Sequence, residues 1–162
     1  MTDILPKNRW VILFTFFVAL VLSVVPLPSW MQVGRPEWVA MVLIYWVLAM
    51  PHAVGVGYAW CVGLFVDLLQ GQLLGLNALC LAVLAYFTLR LYERLRMFST
   101  GQQSLLVMVL VGLHQLLSHW GQATVGAASG SLYFLIPALI GGLLWPWFFV
   151  IFRGLRRSFN VT

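Results

Sequence analysis

Leu132–Arg153 reads LYFLIPALIGGLLWPWFFVIFR, a run with no formal charge before its last residue. About 20 consecutive apolar residues, each rising 1.5 Å along a helix, cross the hydrocarbon core of a bilayer. Pro146 falls inside the run and is expected to kink the helix there. Working outward, five more apolar stretches can be delimited: Trp10–Leu27, Pro36–Met50, Val54–Gln70, Leu74–Glu93 and Gln103–Gln122. Several are shorter than a comfortable span, which local bilayer thinning or packing between helices accommodates. The expected fold is an all-α integral membrane protein, a single domain over residues 1–162 with six transmembrane helices.

Turn residues fall between the stretches. Pro26-Leu-Pro28 ends the first, and Arg35-Pro36 opens the second with proline in a favoured first-turn position. Pro51 and Gly55 bracket the next link, and Gly71 through Gly75 the one after it. Ser99-Thr-Gly-Gln-Gln103 reads as a loop, as does the small, polar run Gly121–Ser131. The first stretch, after Lys7 and Arg9, has the outline of a signal peptide. No A-x-A site follows it, only Ser23-Val-Val-Pro26, so it is read as an uncleaved helix.

Composition supports immersion in lipid. Apolar residues make up 62% of the chain and charged residues 8%, against roughly 25% charged in soluble domains. Lys7, Arg9, Arg90, Arg94, Arg96, Arg153, Arg156 and Arg157 fall on one side of the expected topology, and Arg35 alone on the other. The positive-inside rule then places both termini in the cytoplasm. It also accounts for the net charge of +5 through topology and lipid headgroups, without nucleic acid. The spans leave about 50 residues for tails and loops, too few for an extramembrane domain.

The third stretch carries the most informative pattern. Gly55, Ala59, Gly63, Asp67, Gly71 and Gly75 recur every four residues, and small residues at that spacing let helices approach closely in lipid. The ladder is read as a packing or partner seam. Asp67 is the one acidic residue well inside an apolar stretch, and a charge there needs a partner, a wet pocket or a proton. An ion pair with Arg35, at the same level near the outer face, is expected. On the fifth stretch Gln115, Ser118, His119 and Gln122 form a polar stripe. With Gln70, Gln72 and Asn77 they suggest either a pocket open to the outside or a set of interhelical hydrogen bonds.

His114 and His119 are about 140° apart on a helix, unsuitable for a shared metal. Cys61 and Cys80 lie in apolar stretches as small hydrophobes, and no cofactor or metal is expected. No G-x-S-x-G, H-E-x-x-H, aspartate pair or nucleotide loop occurs, so no catalytic residue is assigned. Trp10, Trp30, Trp38 and Trp120 suit membrane interfaces.

Several pieces in order resemble one family: Arg9-Trp10-Val-Ile, Arg35-Pro36-Glu-Trp38, and Tyr45-Trp46-Val-Leu-Ala-Met-Pro51-His52. Gly63-x3-Asp67-x3-Gly71-x3-Gly75 and Gly142-Leu-Leu-Trp145-Pro146-Trp147 follow. Over nearly its whole length the chain resembles MreD, the small membrane subunit of the bacterial rod-shape machinery. The resemblance implies a non-catalytic, multi-pass subunit of the inner membrane. It implies direct binding of MreC, a single-pass protein with a periplasmic domain. MreB filaments, RodZ, and RodA with its transpeptidase are implied in the wider complex supporting lateral peptidoglycan synthesis and cell shape. It also implies an architecture like the six-helix substrate-binding subunits of energy-coupling-factor transporters. Here the first helix carries Thr15-x3-Ala19-x3-Ser23 in place of their A-x-x-x-A seam. The alternative is a small-molecule-binding transporter subunit using the polar pocket.

The topology is open to direct test. With Cys61 and Cys80 replaced by alanine, single cysteines at Ser99 and Ser158 should resist a membrane-impermeant thiol reagent added outside, while one at Gln72 reacts. Labelling Ser99→Cys and Ser158→Cys from opposite sides would overturn it.

Overall fold

Trp38–Ala49 (α3) has no charged side chain and is apolar on every face. A helix of that kind must be enclosed, and every residue from Val39 to Leu48 is buried. The computed structural model describes residues 8–128 and 130–161. Lys7, among the basic residues assigned to the inner side, and Ser129, in the run before the last stretch, lie outside the described residues.

Around α3 stand α1 (Arg9–Val24), α4 (Val56–Gln70), α5 (Leu76–Met97), α6 (Thr100–Ala123) and α7 (Ile136–Ser158), with a four-residue helix, α2 (Ser29–Gln32), after α1. No strand occurs among the described residues. Leu76–Met97, Thr100–Ala123 and Leu132–Ser158, the last including the 3-10 turn Leu132–Leu135, are long and apolar enough to cross a membrane. Arg9–Val24, Trp38–Ala49 and Val56–Gln70 are shorter apolar helices.

The expected stretches match six of these helices, with differences at their ends. The first helix stops at Val24, ahead of Pro26 and Pro28. Ser99–Gln103 is not a loop. Ser99 N-caps α6, and its backbone N–H donates to Gln102 Oε1 at 3.2 Å in a capping box. α7 runs through Pro146 without a break.

Adjacent helices are tied by a few polar contacts within an apolar interior. Trp46 Nε1 donates to Thr15 Oγ1 at 2.8 Å, joining α3 to α1. Gln103 Nε2 donates to the Leu95 carbonyl at 2.7 Å, and Trp145 Nε1 reaches Gln103 Oε1 at 3.5 Å, linking α5, α6 and α7. Tyr45 packs edge-on against Phe149, ring centroids 5.8 Å apart, and lies 5.1 Å from Phe152. Trp10, Trp30 and Trp120 are exposed, in keeping with interface positions.

Close helix approach rests on two glycines. A Cβ at Gly63 would lie 2.6 Å from the Ala78 nitrogen and 2.8 Å from the Asn77 carbonyl carbon, so α4 meets the backbone of α5 there. A Cβ at Gly142 would lie 2.8 Å from Met108 Cβ, where α7 meets α6. Gly63→Ala should therefore cost about 1–3 kcal/mol by forcing two backbones apart. Gly57→Ala, on the exposed side of α4 with nothing within 4 Å of the added atom, should be neutral or slightly stabilising. Unfolding in mixed detergent micelles measures both, and equal midpoints for the two variants would refute this account of Gly63.

Candidate functional site

Asp67 occupies the last turn of α4 and is 1% exposed. Its oxygens accept from backbone donors across the hairpin: Oδ2 from Gly75 N at 2.9 Å and Ala78 N at 3.3 Å, and Oδ1 from Asn77 N at 3.1 Å. The first N–H groups of a helix have no partner in their own ladder and attract negative charge. Asp67 supplies that acceptor for α5 from the preceding helix. Gly71 and Gly75 make the reversal possible, with φ of 62° and 96° in the left-handed region.

This geometry corrects two expectations. The ladder Gly55, Ala59, Gly63, Asp67, Gly71, Gly75 is not one helix face, because α4 ends at Gln70 and Gly71 and Gly75 lie in the turn. Its buried part, Ala59, Gly63 and Asp67, faces α5 of the same chain. The Arg35–Asp67 ion pair does not form. Arg35 Nη2 donates to the Leu22 carbonyl, tying the segment before α3 to α1. Backbone N–H groups hold a fixed position, so they take the aspartate ahead of a flexible arginine.

The expected polar residues do converge, at the end of the molecule away from Arg94 and Arg156. Gln70, Asn77, Ser118 and Gln122 line a cavity of about 90 Å³. Gln115, Ser118, His119 and Gln122 line a second, of about 210 Å³. Ser118, Gln122 and Glu37 wall both. Asn77 is positioned twice, through its backbone N–H on Asp67 and its Nδ2 on Gln72 Oε1 at 3.2 Å. His119 stacks on Phe134, centroids 4.2 Å apart and planes 7° from parallel.

Two residues of this site escaped the sequence reading. Glu37 opens α3 without capping it and belongs to both cavities. His114 is 5% exposed, lines the smaller cavity, and finds no hydrogen-bond partner for either ring nitrogen within the protein. The signal was present, since His114, Ser118 and Gln122 recur at i, i+4 and i+8 on one helix face. The Gln115 Oε1 and Ser118 Oγ atoms are likewise unpartnered. Among the described residues no group of three His, Cys, Asp or Glu side chains is placed to hold a metal ion.

A second feature is apolar. Between α1 and α4 runs a groove of about 1000 Å³, lined by Phe17, Val21, Phe65, Leu68 and the exposed Cys61. Phe16 and Tyr58 also line it, with ring centroids 5.3 Å apart.

The Asp67 contacts make a quantitative prediction. Asp67→Ala leaves three backbone donors without an acceptor and should cost about 3 kcal/mol or more, read from unfolding in detergent. Asp67→Asn keeps one acceptor oxygen and should cost less. Arg35→Ala should cost the same with and without Asp67; a coupling above about 1 kcal/mol in that cycle would restore the ion pair.

Comparison with known proteins agrees with the sequence resemblance. The family model for the rod shape-determining protein MreD matches residues 6–155. The rod shape-determining protein MreD of Haemophilus influenzae is 38% identical over 151 residues, covering 93% of each chain. No solved structure matches the chain. The chain belongs to the MreD family of rod shape-determining membrane proteins.

Proposed function

We propose that this protein is a non-catalytic subunit of the rod-shape complex in the bacterial inner membrane, crossing it six times and holding MreC by that protein's transmembrane helix. Through MreC it supports lateral peptidoglycan synthesis together with MreB, RodZ, and RodA with its transpeptidase. The basic ends of α5 and α7 (Arg94, Arg96, Arg156, Arg157) face the cytoplasm on this reading, as the positive-inside rule favours. An architecture like that of the energy-coupling-factor binding subunits fits the six apolar helices.

The observation that carries the MreC assignment is the α1–α4 groove. The other long seams are filled from within the chain: α4 meets α5 at Gly63, and α7 meets α6 at Gly142. Along α1 and α4 two rows of apolar side chains remain apart. A hydrophobic helix laid between them gains van der Waals contacts on both sides, the main attraction between helices in lipid. The glycine-bearing face of α4 is occupied by α5, so MreC docks on the opposite face.

Cys61 gives a native handle. Cysteines walked along the MreC transmembrane helix should form disulfides with Cys61 at helical periodicity, and Cys61→Ala should abolish them. A cysteine at Leu139, exposed on the outside of α7, should form none in a Cys61→Ala background. Cross-linking at Leu139→Cys but not at Cys61 would move MreC to another face.

A further inference from the structure

We propose that the polar cavity walled by Glu37, His114, Ser118 and Gln122 binds a primary ammonium group. Its walls come from α3, α4, α5 and α6, together with Ser23 at the end of α1. The only formal charge among the described lining residues of either cavity is the Glu37 carboxylate. The side chain does not cap its own helix, and Arg35, two residues away, donates to Leu22 instead. The walls are rich in acceptors: a carboxylate, a hydroxyl, amide oxygens and an imidazole.

His114 points to a ligand on independent grounds. It is more than nine-tenths buried, and both ring nitrogens are without a protein partner. A neutral imidazole offers one acceptor and one donor, and leaving them unmatched in a protein interior is costly. Gln115 Oε1 repeats the pattern in the adjoining cavity.

Size and chemistry together select the ligand. A cavity of about 90 Å³ has the volume of about three waters, enough for an ammonium group and the carbon bearing it. The adjoining 210 Å³ takes the next atoms. An –NH3+ group presents three donors, to be met by Glu37, His114 and Ser118. A quaternary ammonium has no N–H to give and is larger. Alkali cations prefer all-oxygen shells, whereas here a nitrogen acceptor takes part. The ammonium can come from a phosphatidylethanolamine headgroup, since the site lies at one end of the bundle, or from a free small amine.

The test uses the purified full chain alone. It shares no lining residue with the groove, so its outcome is separable from that of MreC cross-linking. In phosphatidylcholine nanodiscs, titration with ethanolamine should raise the thermal midpoint, while choline and sodium chloride at equal concentration should not. Nanodiscs containing phosphatidylethanolamine should show the same stabilisation without added amine if the lipid is the source. Stabilisation by ethanolamine alone identifies a free amine. Glu37→Gln and His114→Leu should each weaken the response at least tenfold, with circular dichroism and monodispersity confirming that both variants fold. Equal responses to ethanolamine and choline, and no difference between the two lipids, would overturn the site. An undiminished response in folded Glu37→Gln would do the same.

Discussion

A buried carboxylate holds the reversal between α4 and α5. In hydrocarbon a backbone N–H without a partner has no water to turn to, so the chain can reverse inside or near the membrane only where protein satisfies it. Asp67 does this for three donors at once. The price of an acidic residue in an apolar stretch is offset by those contacts, as a helix N-terminus is a favourable place for negative charge. The remaining features of the hairpin follow from this tie. Gly63 must lack a side chain because α5, held by Asp67, lies against α4 at that level. Gly71 and Gly75 must adopt positive φ because the chain turns back within a few residues.

The centre of the molecule obeys a different rule. α3 has 12 residues, about 18 Å of helix, and is closed off on all sides by protein. Such a helix cannot orient itself by amphipathicity, because no face differs from another. Its orientation is set by directional contacts at particular side chains. The Trp46 indole donates to Thr15, and Tyr45 sits among Phe149 and Phe152. These fix the rotation of α3 and therefore the position of Glu37 at its start.

The positions of the helices were legible because lipid immersion writes itself into composition over long windows. Val54–Gln70 was read where α4 spans Val56–Gln70, and Pro36–Met50 where α3 spans Trp38–Ala49. Helix ends were less legible, because they depend on single contacts. Ser99 looks like loop until its pairing with Gln102 is recognised as a cap. The four-residue ladder ran past Gln70 because periodicity carries no information about where a helix stops. The ion pair failed for a related reason. Opposite charges at one level attract notice in a sequence, but the competing backbone donors become visible only when the turn is built. Gln70, Asn77, Ser118 and Gln122 of the smaller cavity, and Gln115 and His119 of the adjoining one, stand out in the sequence as polar residues in apolar stretches. Glu37 was passed over because it stands at the very start of the Pro36–Met50 stretch, and His114 because its distance from His119 was weighed for metal chemistry rather than its register with Ser118.

The same helix serves the seam, the groove and the cavity. α4 turns Ala59, Gly63 and Asp67 inward, Phe65, Leu68 and Leu69 into the groove, and Val66 and Gln70 to the cavity wall. Its inward face is fixed to α5 by backbone contact and by the Asp67 hydrogen bonds. The groove and the cavity therefore border one helix, whose third side is held to α5 by the Asp67 hydrogen bonds.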